Sequence, residues 1–549
     1  MKKLIFSILC FHCSILMHSQ VIKLGEPKSW AINVLDSTSS NQIKMQHINT
    51  AKLIAEDEKK QHAVNKPIRF GYEFKVNLGL DNAGFWTGLA NGDRIWRVNI
   101  YSKGAKSINF VFNMYDLPEG GELYIYSNNK KDMLGGYTNL SNREDKLMGT
   151  WPILGDNVWV EYYEPAQVRG LGQLNISKVI HGYRALSTEN KTESNTNKSN
   201  SCSFNVNCDI GGDFEPLKER LKHAVALIVT ESSFCTGVLI NNTNNDKAPY
   251  FLTANHCNIG LESTWAFRFN YINTEVNCGV DSTNNTSKEI QTTSGATVLA
   301  SNSKSDFKLL QLDGGLSPDW DLEWAGWNKT TIAPNFTVSI HHPNGNLMEV
   351  SRDNDAPEKA TITFENPETD IWKISEKTKG WEIGVTTIGS SGAPLFDAKG
   401  RIIGQLTGGF AACISGQDND LEDWYGRFDV SWDYGTTSET RLSSWLDPKQ
   451  TGQLFLNMLS KEVNTDYSDK TEDILIYPNP VSDNLVIINN KNLDATQYLI
   501  YNELGVLIAR GDISGDHQIN FEKFNNGFYF IEIRGARSKI KVKKLVVIK

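Results

Sequence analysis

At 549 residues the chain exceeds a single compact core, and at roughly 150 residues per domain it predicts three or four. A 40% apolar and 22% charged composition excludes a wholly disordered or collagen-like chain. The net charge of -9, from 55 basic and 64 acidic side chains, argues against a general nucleic-acid binder.

The chain opens with a processing signal. Lys2 and Lys3 precede an apolar stretch over 4–17 and a short polar end at His18-Ser19-Gln20, the order of a secretory signal peptide over 1–20. No later segment holds the roughly 18 consecutive apolar residues of a membrane-spanning helix, so the mature protein is expected to carry no integral membrane segment. Of the eight cysteines, Cys10 and Cys13 fall in the signal. The other six, Cys202, Cys208, Cys235, Cys257, Cys278 and Cys413, cluster in the centre. An even set in an exported chain predicts disulfides, although the count alone does not fix their connectivity. The exported part holds no C-x-x-C pair, so no metal site is expected.

From 21 to about 185 the sequence predicts a β-rich region. The stretch 53–61 reads as helix or loop, and strand-like runs follow at 72–78, 95–101, 108–115, 122–127 and 158–163, separated by Gly, Asn and Pro turns. Trp86, Trp96, Trp151 and Trp159 are assigned to core packing in preference to a carbohydrate platform. The stretch 187–200 has no apolar side chain to bury and is expected to be exposed and readily cut. Its place just before the first clustered cysteine suggests a removable prosegment over 21–198.

Residues 199–459 are long enough for a large core or two barrels sharing a cleft. Short apolar runs at 224–229, 238–240, 307–312, 338–340 and 402–406 favour strands, and 441–446 with 454–459 suggest a terminal helical element. A second polar seam at 460–473 precedes strand-like runs at 474–477, 484–488, 498–501, 506–509, 519–521 and 528–533, which predict a small β-sandwich over 474–549.

Two central motifs carry chemistry. Thr253-Ala254-Asn255-His256-Cys257 places a histidine after an apolar run, and Ile388-Gly389-Ser390-Ser391-Gly392-Ala393-Pro394 places serines in a glycine turn. A neutral imidazole accepts a proton near physiological pH, and a serine hydroxyl needs such a base to become nucleophilic. The flanking glycines permit a tight turn with backbone N–H groups pointing inward. Asp306, in Ser305-Asp306-Phe307-Lys308-Leu309-Leu310, supplies an acid to orient the imidazole. The order His256, Asp306, Ser391 is that of the chymotrypsin template, and no Gly-x-Ser-x-Gly elbow is present. On local sequence alone Ser390 remains an alternative nucleophile.

In these motifs the chain resembles the lysyl endopeptidase family of chymotrypsin-like bacterial serine proteases. The resemblance runs from Cys202 to Leu459 and includes Cys202-Ser203-Phe204-Asn205-Val206-Asn207-Cys208, Ile340-His341-His342-Pro343 and Gly404-Gln405-Leu406. It implies a mostly β, chymotrypsin-like double β-barrel protease, with a triad of His256, Asp306 and Ser391 and an oxyanion hole from the N–H groups of Gly389 and Ser391. It also implies disulfides Cys202–Cys413, Cys208–Cys278 and Cys235–Cys257, and no cofactor. The acid that floors a trypsin-like pocket six residues before the nucleophile is absent, since that residue is Val385; the resemblance assigns the role to Asp423, with Glu422 as its local competitor. A lysine ammonium suits such a carboxylate, so the expected partners are protein or peptide substrates cut after lysine.

His341 and His342 lack a nearby carboxylate or cysteine to complete a metal pattern, and structural hydrogen bonding is expected of them. Thr407 stands where the family member compared has His, and Thr361-Ile362-Thr363-Phe364 lacks that member's Trp. Cleavage after Lys198 would begin the mature enzyme at Ser199. The terminus, through Ile476-Tyr477-Pro478-Asn479-Pro480, Asn526-Gly527-Phe528-Tyr529 and Lys543-Lys544-Leu545-Val546-Val547, resembles sorting domains of the type IX secretion system. That resemblance implies the secretion machinery as a partner and a secreted or cell-surface destination.

Overall fold

The computed structural model describes residues 25–32, 42–61, 67, 69–184, 204–274, 278, 291–363, 368–375, 380–414, 417–460, 474–477, 480–482, 484–489, 495–502, 506–513, 517–535 and 539–549. The expected signal peptide, Lys198, Cys202, Phe364 and the polar seams at 187–200 and 461–473 lie outside the described residues. The chain divides into two compact units, Met1–Lys461 and Glu462–Lys549.

The N-terminal part of the first unit is built on strands Gly71–Gly79, Arg94–Tyr101, Ser107–Asp116, Glu122–Ser127, Asn157–Glu164 and Gln173–Gly182, arranged in two sheets. Arg94–Tyr101 is buried at all but its end positions, so both of its faces are covered. Trp96, Val98 and Ile100 enter the core, while the guanidinium of Arg97 lies over the rings of Phe85 and Trp159. Thr50–Gln61, read from sequence as helix or loop, is a helix.

The central part forms two larger sheets. The first runs in the order Gln291–Ser294, Ala266–Phe269, Val225–Thr230, Ser233–Leu239, Tyr250–Ala254, Phe307–Leu312, Ala296–Asn302. The second runs Glu349–Asp353, Thr337–His341, Pro394–Phe396, Arg401–Gly409, Asp423–Arg427, Glu368–Ile374, Glu358–Thr363. Val225–Thr230 and Ser233–Leu239 are buried at every position, as expected of apolar runs covered on both faces. Val238, Leu252, Phe307 and Leu309 of the first sheet and Val338, Ile340, Phe396 and Ile402 of the second belong to one core.

The terminal helical element expected over 441–446 and 454–459 is only half present. Ser443–Leu446 is a short helix, but 454–459 is extended. Its backbone satisfies exposed edges: Phe455–Leu456 pairs with Trp327 and Asn328, and Leu459–Ser460 pairs with Glu323 and Trp324. The Arg401 guanidinium also covers Phe455, 4.0 Å from its centroid. Tertiary pairing overrides the local preference.

The N-terminal and central parts share a core. Leu227, Val229, Phe234, Ala266, Tyr271 and Leu347 of the central part pack in the same cluster as Phe70, Trp151 and the N-terminal sheets. Phe70 stacks on Phe234 at 4.2 Å, and the Trp151 ring lies against Arg268 and Tyr271. Polar contacts surround these: Phe70 N–H donates to Ser232 O (2.8 Å), Asn109 Nδ2 to Glu231 O (3.0 Å), and Arg143 Nη1 to Ser263 O (2.8 Å). At Gly149 the backbones approach so closely that a Cβ would meet Thr264 O at 1.7 Å.

In the second unit, strands Ile474–Tyr477, Asn484–Asn489 and His517–Asn520 make one sheet. Ala495–Asn502, Leu507–Asp512, Gly527–Gly535 and Lys539–Val547 make another. Leu485 and Ile519 of the first share a core with Ile500, Ile531, Ile533 and Leu545 of the second.

The shared core of the first unit yields an expected outcome. Separating its two parts would expose a contiguous apolar face on the central part, at roughly 25 cal/mol per Å². A chain cut anywhere in 187–200 should therefore elute from size exclusion as one species in native buffer and as two fragments only in denaturant. Spontaneous separation in native buffer would contradict this packing.

Candidate active site

Strand register brings His256 and Asp306 together. Tyr250–Ala254 pairs antiparallel with Phe307–Leu312, and the last pair is Ala254 with Phe307. His256 thus follows one strand end while Asp306 immediately precedes the neighbouring strand. Asp306 Oδ2 lies 2.6 Å from His256 Nδ1, and Oδ1 accepts the His256 backbone N–H at 2.9 Å. The Asp306 carbonyl accepts Asn255 N–H at 2.8 Å, closing the turn. Asp306 sits at φ 54°, a left-handed conformation that aspartate tolerates better than most side chains. Both side chains are largely buried, and His256 Nε2 has no hydrogen-bond partner among the described residues.

The Ser391 loop is fastened to this corner by Thr236. Thr236 N–H donates to Ser391 O (2.8 Å), and its hydroxyl donates to Gly389 O (3.1 Å) while accepting His342 N–H (3.1 Å). The disulfide Cys235–Cys257 joins the residue before Thr236 to the residue after His256, and Cys257 Sγ lies 3.8 Å from Ser391 O. Gly389 has φ 96°, and a Cβ there would stand 2.8 Å from Asn344 N, so both conformation and space require glycine. The N–H groups of Gly389 and Ser391 have no acceptor among the described residues.

The two adjacent serines are in different environments. Ser390 is fully buried, and its hydroxyl bonds His341 Nδ1 at 2.8 Å. Ser391 is partly exposed. His341 Nε2 meets Ser351 Oγ at 3.0 Å, and His342 Nδ1 meets Asn346 O at 2.9 Å. This histidine pair is hydrogen-bonded structure. Burial and the neighbouring His342 hold His341 down to about 3, and burial holds His342 down to about 4.

Asp423 lies at the start of Asp423–Arg427 and is 2% exposed. Its Oδ2 accepts Trp381 Nε1 at 2.7 Å and Thr386 Oγ1 at 2.6 Å. Trp381, Val385 and Tyr425 share an apolar cluster around it. Gly409 pairs with Asp423 across the sheet, and a Cβ on Gly409 would come within 2.2 Å of Asp423 Oδ1. Glu422 differs: it is paired with Lys373 at 2.6 Å and accepts Trp424 Nε1 at 2.9 Å. Sequence reasoning missed Thr236, Trp381 and Thr386, since nothing local distinguishes them.

Cys208 is bonded to Cys278; Cys413 is also in a disulfide, and its expected partner Cys202 lies outside the described residues. Thr407 is buried, with a hydroxyl that has no partner among the described residues. Among the described residues one group, Asp353, Asp355 and Glu382, has oxygens within 4.8 Å of one another and could hold a cation. Burial pushes Asp353 up to about 7. Among the described residues no helix is long and apolar enough to cross a membrane.

A histidine held by a buried aspartate beside a glycine-turned serine makes this a serine-endopeptidase-like protein. Residues 196–426 match the family model "Lysyl endopeptidase, C-terminal domain", which links the chain to the lysyl endopeptidase family. Residues 475–549 match "Secretion system C-terminal sorting domain", and the protein is secreted or cell-surface. A lysyl endopeptidase of Pseudomonas aeruginosa is 27% identical over 344 residues, covering 59% of this chain and 70% of that protein. Among solved structures, an inactive form of Rv3671c from M. tuberculosis is 14% identical, with a TM-score of 0.26, over 40% of this chain and 88% of that one. The MamO protease domain from Magnetospirillum magneticum is 12% identical, with a TM-score of 0.25, over 38% and 94%. Neither structure bears on the assignment.

The two buried histidines set an acid limit. Their folded values lie below the ordinary 6.5, so the stability they contribute is complete above that pH and is lost as pH falls toward 4 and 3. Each accounts for a slope of up to about 1.4 kcal/mol per pH unit. Urea titrations between pH 6.5 and 4 should show a shallower slope for His341→Gln than for the wild type; equal slopes would contradict a neutral buried His341.

Proposed function

We propose that the protein is a secreted serine endopeptidase that hydrolyses peptide bonds after lysine through an acyl-enzyme, on a chymotrypsin-like double β-barrel whose halves are the two central sheets. The observation that carries this reading is the 2.6 Å contact of Asp306 with His256 Nδ1, which leaves Nε2 as the proton acceptor. His256 Nε2 takes the Ser391 proton as Oγ attacks the scissile carbonyl. The N–H groups of Gly389 and Ser391 stabilise the tetrahedral oxyanion. His256 then protonates the leaving amine, and water releases the acyl group by the same roles reversed. No cofactor enters the reaction.

Asp423 receives the lysine ammonium at the floor of the pocket. Its burial, with bonds from Trp381 and Thr386, supports this role, and so does the engagement of Glu422 with Lys373. Processing after Lys198 cuts the chain between the 21–198 prosegment and the 199–459 protease, and the type IX machinery recognises 474–549.

Cleavage mapping on a mixed protein substrate tests the reading. Wild type should cut after lysine, and Ser391→Ala should lose turnover by about 10^6-fold. Asp423→Asn should weaken lysine selection by about 2–5 kcal/mol, the cost of removing one member of a buried charge pair. Cleavage after other residues, unchanged by Asp423→Asn, would overturn the pocket assignment.

A further inference from the structure

Gln405 lies on strand Arg401–Gly409, remote in sequence from the three proposed catalytic residues, and is fully buried. Its Nε2 donates to the backbone carbonyl of Ser305 at 2.6 Å, the residue immediately before Asp306. The carbonyl accepts only, so the amide must present nitrogen to it. That orientation leaves Gln405 Oε1 buried without a partner among the described residues. An apolar side chain here would remove that oxygen but take from the buried Ser305 carbonyl the donor it has in Gln405 Nε2.

The next residue on the same strand grips the other side of the site. Leu406 O accepts Gly392 N–H at 2.8 Å, and Leu406 N–H donates to Ala393 O at 2.8 Å. One dipeptide therefore holds both the Ser391 loop, through Leu406 backbone, and the Asp306 turn, through the Gln405 side chain. Ser305 is gripped from two further directions: its hydroxyl meets Ser431 Oγ at 2.7 Å, and its carbonyl abuts Gly426, where a Cβ would stand 1.8 Å away. The turn so held carries Asp306 at φ 54°, a conformation that needs its neighbours fixed.

We propose that Gln405 is a positioning residue that sets the Asp306 carboxylate against His256 Nδ1 by anchoring Ser305 O to the strand that holds the Ser391 loop. Resting on the endopeptidase reading, this role extends it to a residue with no contact to substrate. Without the anchor the Ser305 carbonyl loses its side-chain donor, and the Asp306 carboxylate is held less closely against the imidazole.

The test uses the secreted protein with wild type, Gln405→Met, Gln405→Asn and Asp306→Asn, each normalised by active-site titration. Gln405→Met removes the donor at nearly constant shape. Gln405→Asn keeps an amide but falls a methylene short, and decides the matter if the Met variant does not fold. Both should lose kcat by about 10- to 100-fold per titrated site, the scale of a small misplacement of a catalytic group, with KM little changed. The acid limb of kcat/KM should also move to lower pH, because a displaced carboxylate supports His256 protonation less. A lowered Tm with wild-type kcat and pH profile per titrated site would overturn the role, as would a fall in kcat with the acid limb unmoved. If wild type hydrolyses no peptide, or Asp306→Asn matches it, the endopeptidase reading falls instead.

Discussion

The contact between Asp306 and His256 depends on strand pairing. Tyr250–Ala254 and Phe307–Leu312 are driven together by apolar side chains: Leu252, Phe307 and Leu309 are buried in one core, Phe251 and Leu310 in another. Once Ala254 pairs with Phe307, the residues beyond the strand ends have little freedom. A slip of one residue would send these side chains to the opposite faces and part the acid from the imidazole. Burying a carboxylate is costly unless it is paired and hydrogen-bonded. Asp306 meets that condition with the His256 N–H and ring together. Hydrophobic pairing in the first sheet thus fixes the polar geometry at its edge.

The second sheet carries the other proposed tasks. The Ser391 loop runs into Pro394–Phe396, and Asp423 opens the strand on the far side of Arg401–Gly409. The proposed nucleophile and the proposed pocket acid are thereby set by the two neighbours of one strand. Thr236 and the Cys235–Cys257 bridge then tie the serine loop to the histidine corner. The proposed lysine selection comes from the strand Asp423–Arg427 and not from position 385, where Val385 is buried in an apolar cluster. Reaction chemistry and side-chain choice are accordingly separable in this fold.

Much of this was legible in the sequence because its signals are local. The runs at 95–101 and 122–127 are rich in β-branched and aromatic residues and 307–312 is a short, mostly apolar run, and each is a strand within a residue or so of the expected bounds. The run at 454–459 was misread because its extended form is dictated by the edges of Glu323–Trp324 and Gly326–Asn328, which lie more than a hundred residues away. His256, Asp306 and Ser391 stood out through their flanking motifs, but the choice of Ser391 over Ser390 needed a resemblance. The structure gives the physical distinction, for Ser390 is buried on His341 while Ser391 is partly exposed. Thr236 gave no signal of its own, and Gln405 stood only within the motif Gly404-Gln405-Leu406 with no role attached, since the partners of both are set by tertiary packing.

The most direct test is a structure of the secreted protein with a lysine-mimicking peptide boronate. The account predicts a bond from boron to Ser391 Oγ, one boronate oxygen on the N–H groups of Gly389 and Ser391, and His256 Nε2 within hydrogen-bonding reach. Boron on Ser390 or elsewhere, or a His256 ring turned away from the adduct with Asp306 unpaired, would contradict it.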